Sequence, residues 1–170
     1  MEIEDFNSKI IPVRDKLYRF AWSLLQNREE AQDALQEVFM KLWSQRDRLD
    51  LVENHEAYAM KIMKNLCLDR LKFFKGKRMV ELDDRQATSD NITPFTSMSF
   101  DNLKDLMMKL FSTLPEQQRI VIHMRDIEHC TFEEIEEVTG LSINNIRVTL
   151  SRARQNVKSS YMKIKNYERG

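Results

Sequence analysis

The residues between positions 142 and 154 carry side chains suited to binding nucleic acid. If this stretch is helical, at about 100° per residue, one face presents amide, hydroxyl and guanidinium groups. Such groups hydrogen-bond to base edges in a major groove or to backbone phosphates. The residues of this face are Ser142, Asn144, Asn145, Arg147, Val148, Ser151, Arg152 and Arg154, of which Val148 alone is apolar. An ordinary solvated helix gives the same pattern, so the neighbouring elements are needed to distinguish a DNA-binding helix from a solvated one.

A second cationic stretch lies near the middle of the chain, where residues 61–78 hold seven basic residues and one acidic residue. It falls on a helix predicted over residues 56–74. Lys61, Lys64, Lys72 and Lys75 form an outward stripe with Asn65 at its edge, and Lys77 and Arg78 continue it beyond the helix. Tyr58, Phe73 and Phe74 are close by in the sequence, although helical spacing assigns Phe73 to the inward face. Cations beside aromatic rings bind single-stranded nucleic acid, because phosphates pair with the cations and bases stack on the rings. A lysine stripe is otherwise a common solvated helix face.

A third surface is predicted on the helix over residues 29–44, whose acidic residues at the start suit the helix dipole. Its core stripe consists of Ala31, Ala34, Leu35, Val38 and Leu42. Off that stripe lie Gln32, Asp33, Gln36, Phe39, Met40 and Trp43. Two large aromatic side chains and a Met among polar ones indicate a surface that binds another protein. The alternative is that both rings pack against another helix of the same bundle.

No catalytic or metal-binding chemistry is predicted. His123, His129, Cys130 and Cys67 do not match the spacing of a structural zinc site. Three glycines, spread along the chain, cannot build a phosphate-binding loop. No nucleophile, base and orienting group can be placed together either. We therefore expect neither a cofactor nor an enzymatic activity.

Composition predicts long helices and few turns. The 170 residues include only three Gly and three Pro, and basic and acidic residues balance at 27 each. No apolar run is long enough to span a membrane and no signal peptide opens the chain, so we expect a cytoplasmic protein with reduced cysteines. The zero net charge hides an uneven distribution. Residues 143–170 hold seven basic residues and one acidic residue, while residues 116–137 hold two basic and seven acidic residues.

The stretch with the polar face belongs to a predicted helix-turn-helix unit. Pro115 fits the first turn of a helix that comes before the unit's short helix. Thr131 stands three residues before Glu134, the spacing of a capping box that begins the short helix. Gly140 then allows a turn with positive φ, and a longer helix follows from residue 143 to about 160. A short helix, a turn with Gly and a longer helix are typical of this motif.

The remaining elements predict an all-α protein of two small helical domains joined by a flexible linker. Apolar residues at helical spacing begin the chain, with a bend or restart expected at Pro12. A loop is predicted over residues 45–54. An acidic, polar linker sets the domain boundaries, giving residues 1–80, 81–102 and 103–170. The second domain contains the helix-turn-helix unit, so the two cationic stretches lie in different domains with no fixed spacing between them.

Three stretches together resemble the bacterial sigma factors, and within them the extracytoplasmic-function (ECF) group. In chain order they are REEAQDALQEVFMKLW, AYAMKIMKNLCLDRLKFFKGKR and LPEQQRIVIHMRDIE…TFEEIEEVTGLSINNIRVTLSRAR. The resemblance implies that core RNA polymerase is contacted by Asp33, Gln36, Glu37, Phe39 and Trp43. It also implies that the cationic helix assists strand opening and that the helix-turn-helix unit reads the upstream promoter element. The linker is too short for the additional domain of larger family members, which favours the ECF group.

The resemblance also implies partners. Core RNA polymerase and promoter DNA are expected, and the family implies an anti-sigma factor. The free chain is expected to be a monomer that does not insert into a membrane. Some positions depart from the family pattern: His129 and Cys130 occupy a turn that usually holds Gly, and Val148 and Thr149 replace a pair that usually contains a cation. The alternative is a stand-alone helix-turn-helix regulator whose first domain binds a ligand or dimerises.

Overall fold

The computed structural model describes residues 1–84 and 103–169, with the side chains of residues 1–79 and 103–169. Within those ranges the regular secondary structure is helical, and the helices fall into an N-terminal and a C-terminal group. The prediction of an all-α fold is therefore confirmed. Most of the predicted linker, residues 85–102, lies outside the described residues.

The chain begins with two short helical segments and a longer helix. Helix α1 spans Ile3–Lys9, a 3₁₀ turn spans Ile11–Val13, and α2 spans Arg14–Leu25. The restart falls at Pro12, as predicted, because proline has no N–H to continue the hydrogen bonds of α1. The apolar residues at helical spacing are buried: Phe6, Ile10, Val13, Leu17, Phe20 and Leu24.

Helix α3 spans Arg28–Ser44 and packs against α2. Asn27 caps it, since its side-chain oxygen accepts a hydrogen bond from a backbone N–H of the first turn at 3.0 Å. The predicted core stripe is confirmed, with Ala31, Ala34, Leu35, Val38 and Leu42 all buried. The predicted loop over residues 45–54 is wrong in part. Arg46–Leu49 forms a short helix, α4, because its last residue is fully buried in the core.

Helix α5 is longer than predicted, spanning His55–Asp84 rather than ending near Phe74. The residues after Phe74 are mostly good helix formers, and one glycine at position 76 does not interrupt the helix. Helical spacing assigns Phe73 to the buried face, but it is 66% exposed, so the core ends before this turn of α5. The helix also continues past the predicted boundary at residue 80.

The C-terminal group contains the predicted helix-turn-helix unit. Helix α6 spans Leu103–Ser112, α7 spans Glu116–Ile122, α8 spans Phe132–Thr139 and α9 spans Ile143–Arg169. Between α7 and α8 the chain makes a π-helical turn over His123–Ile127. Helix α9 extends beyond its predicted end by more than two turns.

Local signals begin and end these helices as predicted, with one correction. Thr131 and Glu134 form a capping box, with reciprocal hydrogen bonds of 3.1 and 3.0 Å. Gly140 takes a φ of 75° and ends α8. Ser142 accepts a hydrogen bond from a backbone N–H in the first turn of α9 at 3.2 Å and caps that helix. Pro115 is the N-cap residue of α7 rather than part of its first turn.

The two helical groups pack directly against each other. Helix α2 contacts α7 and the π-helical turn, and α5 contacts α8. Buried apolar side chains of both groups form one continuous core. The sequence predicts no fixed spacing between the two cationic stretches, whereas this packing places α8 beside the cationic helix α5.

Arg119 of α7 reaches across the boundary between the groups. Its Nη1 donates to the backbone carbonyl of Leu24 in α2 at 3.1 Å. Its Nε and Nη2 donate to the carbonyls of Phe111, Ser112 and Leu114 around the end of α6, at 2.9, 3.1 and 3.0 Å. One guanidinium therefore satisfies carbonyl groups near the ends of two helices, where intrahelical partners are missing.

An ion pair between a half-exposed arginine and a buried carboxyl group joins α2 to the residue after the π-helical turn. Nε and Nη2 of Arg19 both lie 2.7 Å from Glu128 Oε1, and the Glu128 side chain is 1% exposed. Beside it, the ring of His123 stacks on Phe20 with centroids 5.4 Å apart. His123 Nε2 is buried without a hydrogen-bond partner in the described part of the chain. Burial, and then the charge of Arg19, lower the pKa of His123 to about 3, so its ring is neutral at pH 7.

Acid should weaken the fold through His123. Its pKa is 6.5 in the unfolded chain but about 3 in the folded chain, so the unfolded state takes up a proton first. The free energy of unfolding should therefore fall as the pH drops below 6.5. At pH 5.5 the expected loss is about 1.4 kcal/mol relative to pH 7.5. Urea unfolding at these two pH values measures this loss.

His123→Gln removes the titrating ring and should remove most of this pH dependence. His129→Gln is the matched control, because His129 is exposed in the turn that follows the π-helical segment. The control should lose as much stability between the two pH values as the unaltered protein. An undiminished loss in His123→Gln would contradict the assignment of the effect to the buried ring.

Candidate functional site

The outer face of α3 presents the predicted protein-binding residues. Asp33 and Glu37 are exposed, with 70% and 55% of their side-chain surfaces accessible. Gln36 lies on the same exposed face. Both carboxylates lie within 3.3 Å of Arg70 on α5. The face is therefore acidic, with a cation along one edge.

The two aromatic residues predicted for this face partly pack within the protein. Trp43 is 37% exposed, and its ring meets the buried ring of Phe6 edge-on with centroids 5.1 Å apart. The guanidinium carbon of Arg46 lies 4.4 Å from the Trp43 ring centroid. Phe39 is half-buried against the core. Packing within the bundle therefore covers part of the surface of each ring, and the uncovered surface of Trp43 remains available to a partner.

Met40 is predicted to lie off the core stripe beside Phe39 and Trp43, and it is the most exposed apolar residue of α3, at 73%. An exposed Met suits a protein-binding surface, because its flexible thioether side chain adapts to the partner.

Six of the seven residues predicted for the cationic face of α5 are exposed. They are Lys61, Asn65, Lys72, Lys75, Lys77 and Arg78. Among them, the rings of Phe73 and Phe74 are 66% and 37% exposed and meet edge-on with centroids 6.1 Å apart. Cations and exposed rings therefore share this part of α5, the combination that binds a single strand.

Lys64 differs from the other six. Its ammonium donates a hydrogen bond to the backbone carbonyl of Val138 in α8 at 2.8 Å. Burial, and then repulsion from Lys61, lower the pKa of Lys64 below its ordinary value. Lys64 is predicted to project outward, but in this arrangement of the helices α8 covers it. The contact joins residues 74 positions apart, so no local sequence pattern indicates it.

The predicted polar face of α9 is exposed. Its surface residues are Asn144, Asn145, Val148, Ser151 and Arg152, with Ser142 just before them. The opposite face packs into the unit through Ile146, Leu150 and Ala153. Val148 is 47% exposed, so its methyl groups can contact a thymine methyl in a major groove. In helix-turn-helix units in general, an exposed face of the longer helix contacts base edges.

Two of the three arginines predicted for this face have intramolecular partners. Nη2 and Nε of Arg154 bind the Asp126 carboxylate at 2.6 and 2.9 Å, and this hydrogen bonding raises the pKa of Arg154. The Arg147 guanidinium lies over Phe132, 5.4 Å from the ring centroid. Arg152 has no comparable partner within the described residues. It is therefore the arginine of this face most directly available to a phosphate.

Other kinds of site are not supported by the residues that the structure describes. They contain no group of three His, Cys, Asp or Glu residues that could hold a metal ion. Cys67 and Cys130 are buried, and burial raises their pKa values to about 12 and about 11, so both are protonated at pH 7. No helix in the described ranges is long and apolar enough to cross a membrane.

Comparison with known proteins matches both helical groups to one family. Residues 12–73, which hold α2, α3 and most of α5, match Sigma-70 region 2. Residues 104–157, which hold the helix-turn-helix unit, match Sigma-70 region 4. The two matches follow each other in the order that the resemblance implies.

Similar sigma factors cover most of the chain. The ECF RNA polymerase sigma factor SigW of Bacillus subtilis is 24% identical over 153 residues, which is 84% of this chain and 81% of SigW. The RNA polymerase sigma factor SigV of the same bacterium is 28% identical over 141 residues, which is 82% of this chain and 81% of SigV.

A solved structure extends the similarity to the whole arrangement of helices. The co-crystal structure of the sigma factor RpoE with the anti-sigma factor NepR from Bartonella quintana matches this chain with a TM-score of 0.74 at 26% identity. The match covers 92% of this chain and 96% of the matched chain. A stand-alone regulator is not favoured, because the N-terminal group also matches a sigma-70 region. The chain is a bacterial RNA polymerase sigma factor and belongs to the extracytoplasmic-function group.

Proposed function

We propose that three separate faces of this sigma factor divide its work in transcription initiation. The outer face of α3 binds core RNA polymerase, the cationic face of α5 contacts the opened DNA strand, and the polar face of α9 reads the upstream promoter element. Residues 1–80 and 103–170 act as the two domains that carry these faces. The observation that best supports this division is that each face is largely exposed and begins within the matched sigma-70 region expected to carry it, with only Lys75, Lys77 and Arg78 of α5 following the region 2 match.

Sigma factors are not catalytic enzymes, and this one would add no chemistry of its own to the polymerase. Because its principal partner is core RNA polymerase, we place it in the cytoplasm. We also propose an anti-sigma factor as a partner, since the matched RpoE structure is a complex with NepR. A cleft of about 490 Å³ between α2 and α6 suits an amphipathic helix of such a partner. Its apolar lining includes Tyr18, Trp22, Met107, Met108 and Phe111.

Shortening the apolar side chains of α3 should weaken binding to core polymerase. Large aromatic residues often dominate interface energies, so Phe39→Ala with Trp43→Ala should cost roughly 2 kcal/mol or more of affinity. This double variant should also unfold more easily, because Trp43 packs on Phe6 and Phe39 packs on the core. Met40→Ala separates the two effects. With a 73% exposed side chain, it should weaken core binding while changing the free energy of unfolding by no more than about 0.5 kcal/mol.

Titration of labelled protein with core polymerase measures the affinity, and urea unfolding measures the stability. Met162→Ala is the matched control, because Met162 is also exposed but lies on α9. It should change neither quantity. Normal core binding by both the double variant and Met40→Ala would exclude this face of α3 as the docking surface.

Reversing charge on α5 should impair strand opening but not core binding. Lys61→Glu with Lys72→Glu replaces two exposed cations by anions that repel phosphates. Open-complex formation should fall by roughly tenfold, and a template with a pre-opened bubble should partly restore it. A fluorescent base analogue in the opened region measures the fraction of open complexes at fixed salt.

The matched control is Lys158→Glu with Lys163→Glu, which makes the same change in net charge on an exposed part of α9 beyond its polar face. It should open promoters normally. Lys64→Glu belongs in a separate experiment, because it also removes the contact with Val138. Weakened core binding with normal opening in the α5 variant would contradict the role assigned to this helix.

Promoter titration with and without core polymerase tests the proposed function as a whole. The free chain has zero net charge, and residues 1–84 and 103–169 contain one helix-turn-helix unit, so it should bind duplex DNA weakly by itself. Core polymerase should make the binding tight and promoter-specific. Nanomolar, sequence-specific binding by the free protein would instead support a stand-alone regulator.

The same titration tests how α9 reads DNA. We assign sequence preference to Asn144, Asn145, Val148 and Ser151, and contact with the DNA backbone to Ser142, Arg147, Arg152 and Arg154. Asn145→Ala should change the preference at one upstream base pair by roughly 1–3 kcal/mol, whereas Arg152→Ala should weaken all sequences alike. Asn166→Ala is the control, an exposed asparagine about 30 Å further along α9. Unchanged preference of Asn145→Ala across a randomised upstream element would contradict the assignment.

A further inference from the structure

Arg70 of α5 lies among three acidic side chains of the docking helix α3. Its Nη2 is 2.6 Å from Glu37 Oε2 and 3.3 Å from Asp33 Oδ2. Its Nη1 donates to Glu30 Oε2 at 3.2 Å and to the backbone carbonyl of Glu30 at 3.3 Å. The Arg70 side chain is 16% exposed, so its charge is directed at α3 rather than at solvent.

The three acids lie on one face of α3 because they are three and four residues apart. Carboxylates at this spacing repel one another, and the planar fork of an arginine can bind several of their oxygens at once. Burial alone would lower the pKa of Arg70, but its hydrogen bond to Glu37 and the charges of Glu37, Asp33 and Glu30 raise it. The guanidinium therefore stays charged and offsets part of the repulsion.

The contacts with Arg70 leave the outer side of the acidic face free. Arg70 engages one oxygen of Asp33 and one of Glu37, and these side chains remain 70% and 55% exposed. Their other oxygens can accept hydrogen bonds from cations of a partner. Because three carboxylates face one guanidinium, the face also keeps a net negative charge.

We propose that Arg70 is a positioning residue for polymerase docking. It holds the carboxylates of Asp33 and Glu37 in the orientation that core polymerase binds, and it ties the docking helix to the strand-opening helix α5. The inference rests on the proposed docking role of α3. Side chains that are already ordered lose less conformational freedom on binding, so Arg70 raises affinity without touching the polymerase.

The two rate constants of binding separate this role from a simple charge effect. Arg70→Gln makes the face more negative, so electrostatic steering should leave the association rate constant unchanged or higher. Loss of the ordered carboxylates should raise the dissociation rate constant by about tenfold. Arg70→Lys keeps the charge but not the planar fork and should give an intermediate value. Arg14→Gln, at an exposed arginine of α2, is the matched control and should leave both rate constants unchanged.

The measurement uses immobilised core RNA polymerase and the 170-residue chain, with circular dichroism and urea unfolding to establish that each variant is folded. In a background of Asp33→Asn with Glu37→Gln, Arg70→Gln should not change the dissociation rate constant further. A full effect in that background would overturn the proposal, because Arg70 would then act through other groups. The proposal would also be overturned if Arg70→Gln and Arg70→Lys dissociated from core polymerase at the normal rate but had lower free energies of unfolding. Arg70 would then only join the two helices.

The acidic variants distinguish failure of this inference from failure of the proposed docking role. If Asp33→Asn with Glu37→Gln weakens core binding but Arg70→Gln does not, the docking role stands and only the positioning role fails. If the acidic double variant binds core polymerase normally, the acids have no docking role, and the role of Arg70 fails with it.

Discussion

The ion pair between Arg19 and Glu128 is the interaction on which the arrangement of the two helical groups depends. A carboxylate with 1% side-chain exposure is costly unless a cation pairs with it, and here the cation comes from the other group. Glu128 directly follows the π-helical turn, and the first residue of that turn, His123, stacks on Phe20 of α2. The His123 ring and the Glu128 carboxyl group therefore lie together under α2, and moving α2 away would remove Phe20 from one and Arg19 from the other.

The contact between the two helical groups also determines which cations remain on the surface. Helix α8 covers Lys64, while Lys61, Lys72 and Lys75 stay exposed on α5. On α9, the charge of Arg154 is partly cancelled by a neighbouring carboxylate. Paired cations attract distant DNA less strongly, because their fields are offset by the groups that hold them. With zero net charge as well, the protein attracts distant DNA weakly, which suits a factor that reaches DNA together with a larger partner.

Local effects made much of this fold predictable. The local effects are the missing N–H of Pro12, the side-chain cap of Thr131 and the positive φ of Gly140. Each depends on adjacent residues alone, so each acts as the sequence indicates. Contacts between the groups leave no such signal, so Lys64 has the sequence pattern of an outward cation although α8 covers it. Periodicity likewise separates Met40 from the core stripe but does not indicate whether another helix, solvent or a partner covers it. The exposed faces could therefore be assigned from sequence, but the residues that connect the helices could not.

The contacts of Arg119 have a consequence for how this protein can evolve. Every acceptor of its guanidinium is a main-chain oxygen, belonging to Leu24, Phe111, Ser112 and Leu114. Substitution at those four positions changes a side chain but leaves the carbonyl in place. Selection for these hydrogen bonds therefore falls on the donor, whereas Leu24, Phe111 and Leu114 are constrained only by the packing of their buried side chains. Methods that infer contacts from paired substitutions would not detect this link between the two halves of the molecule.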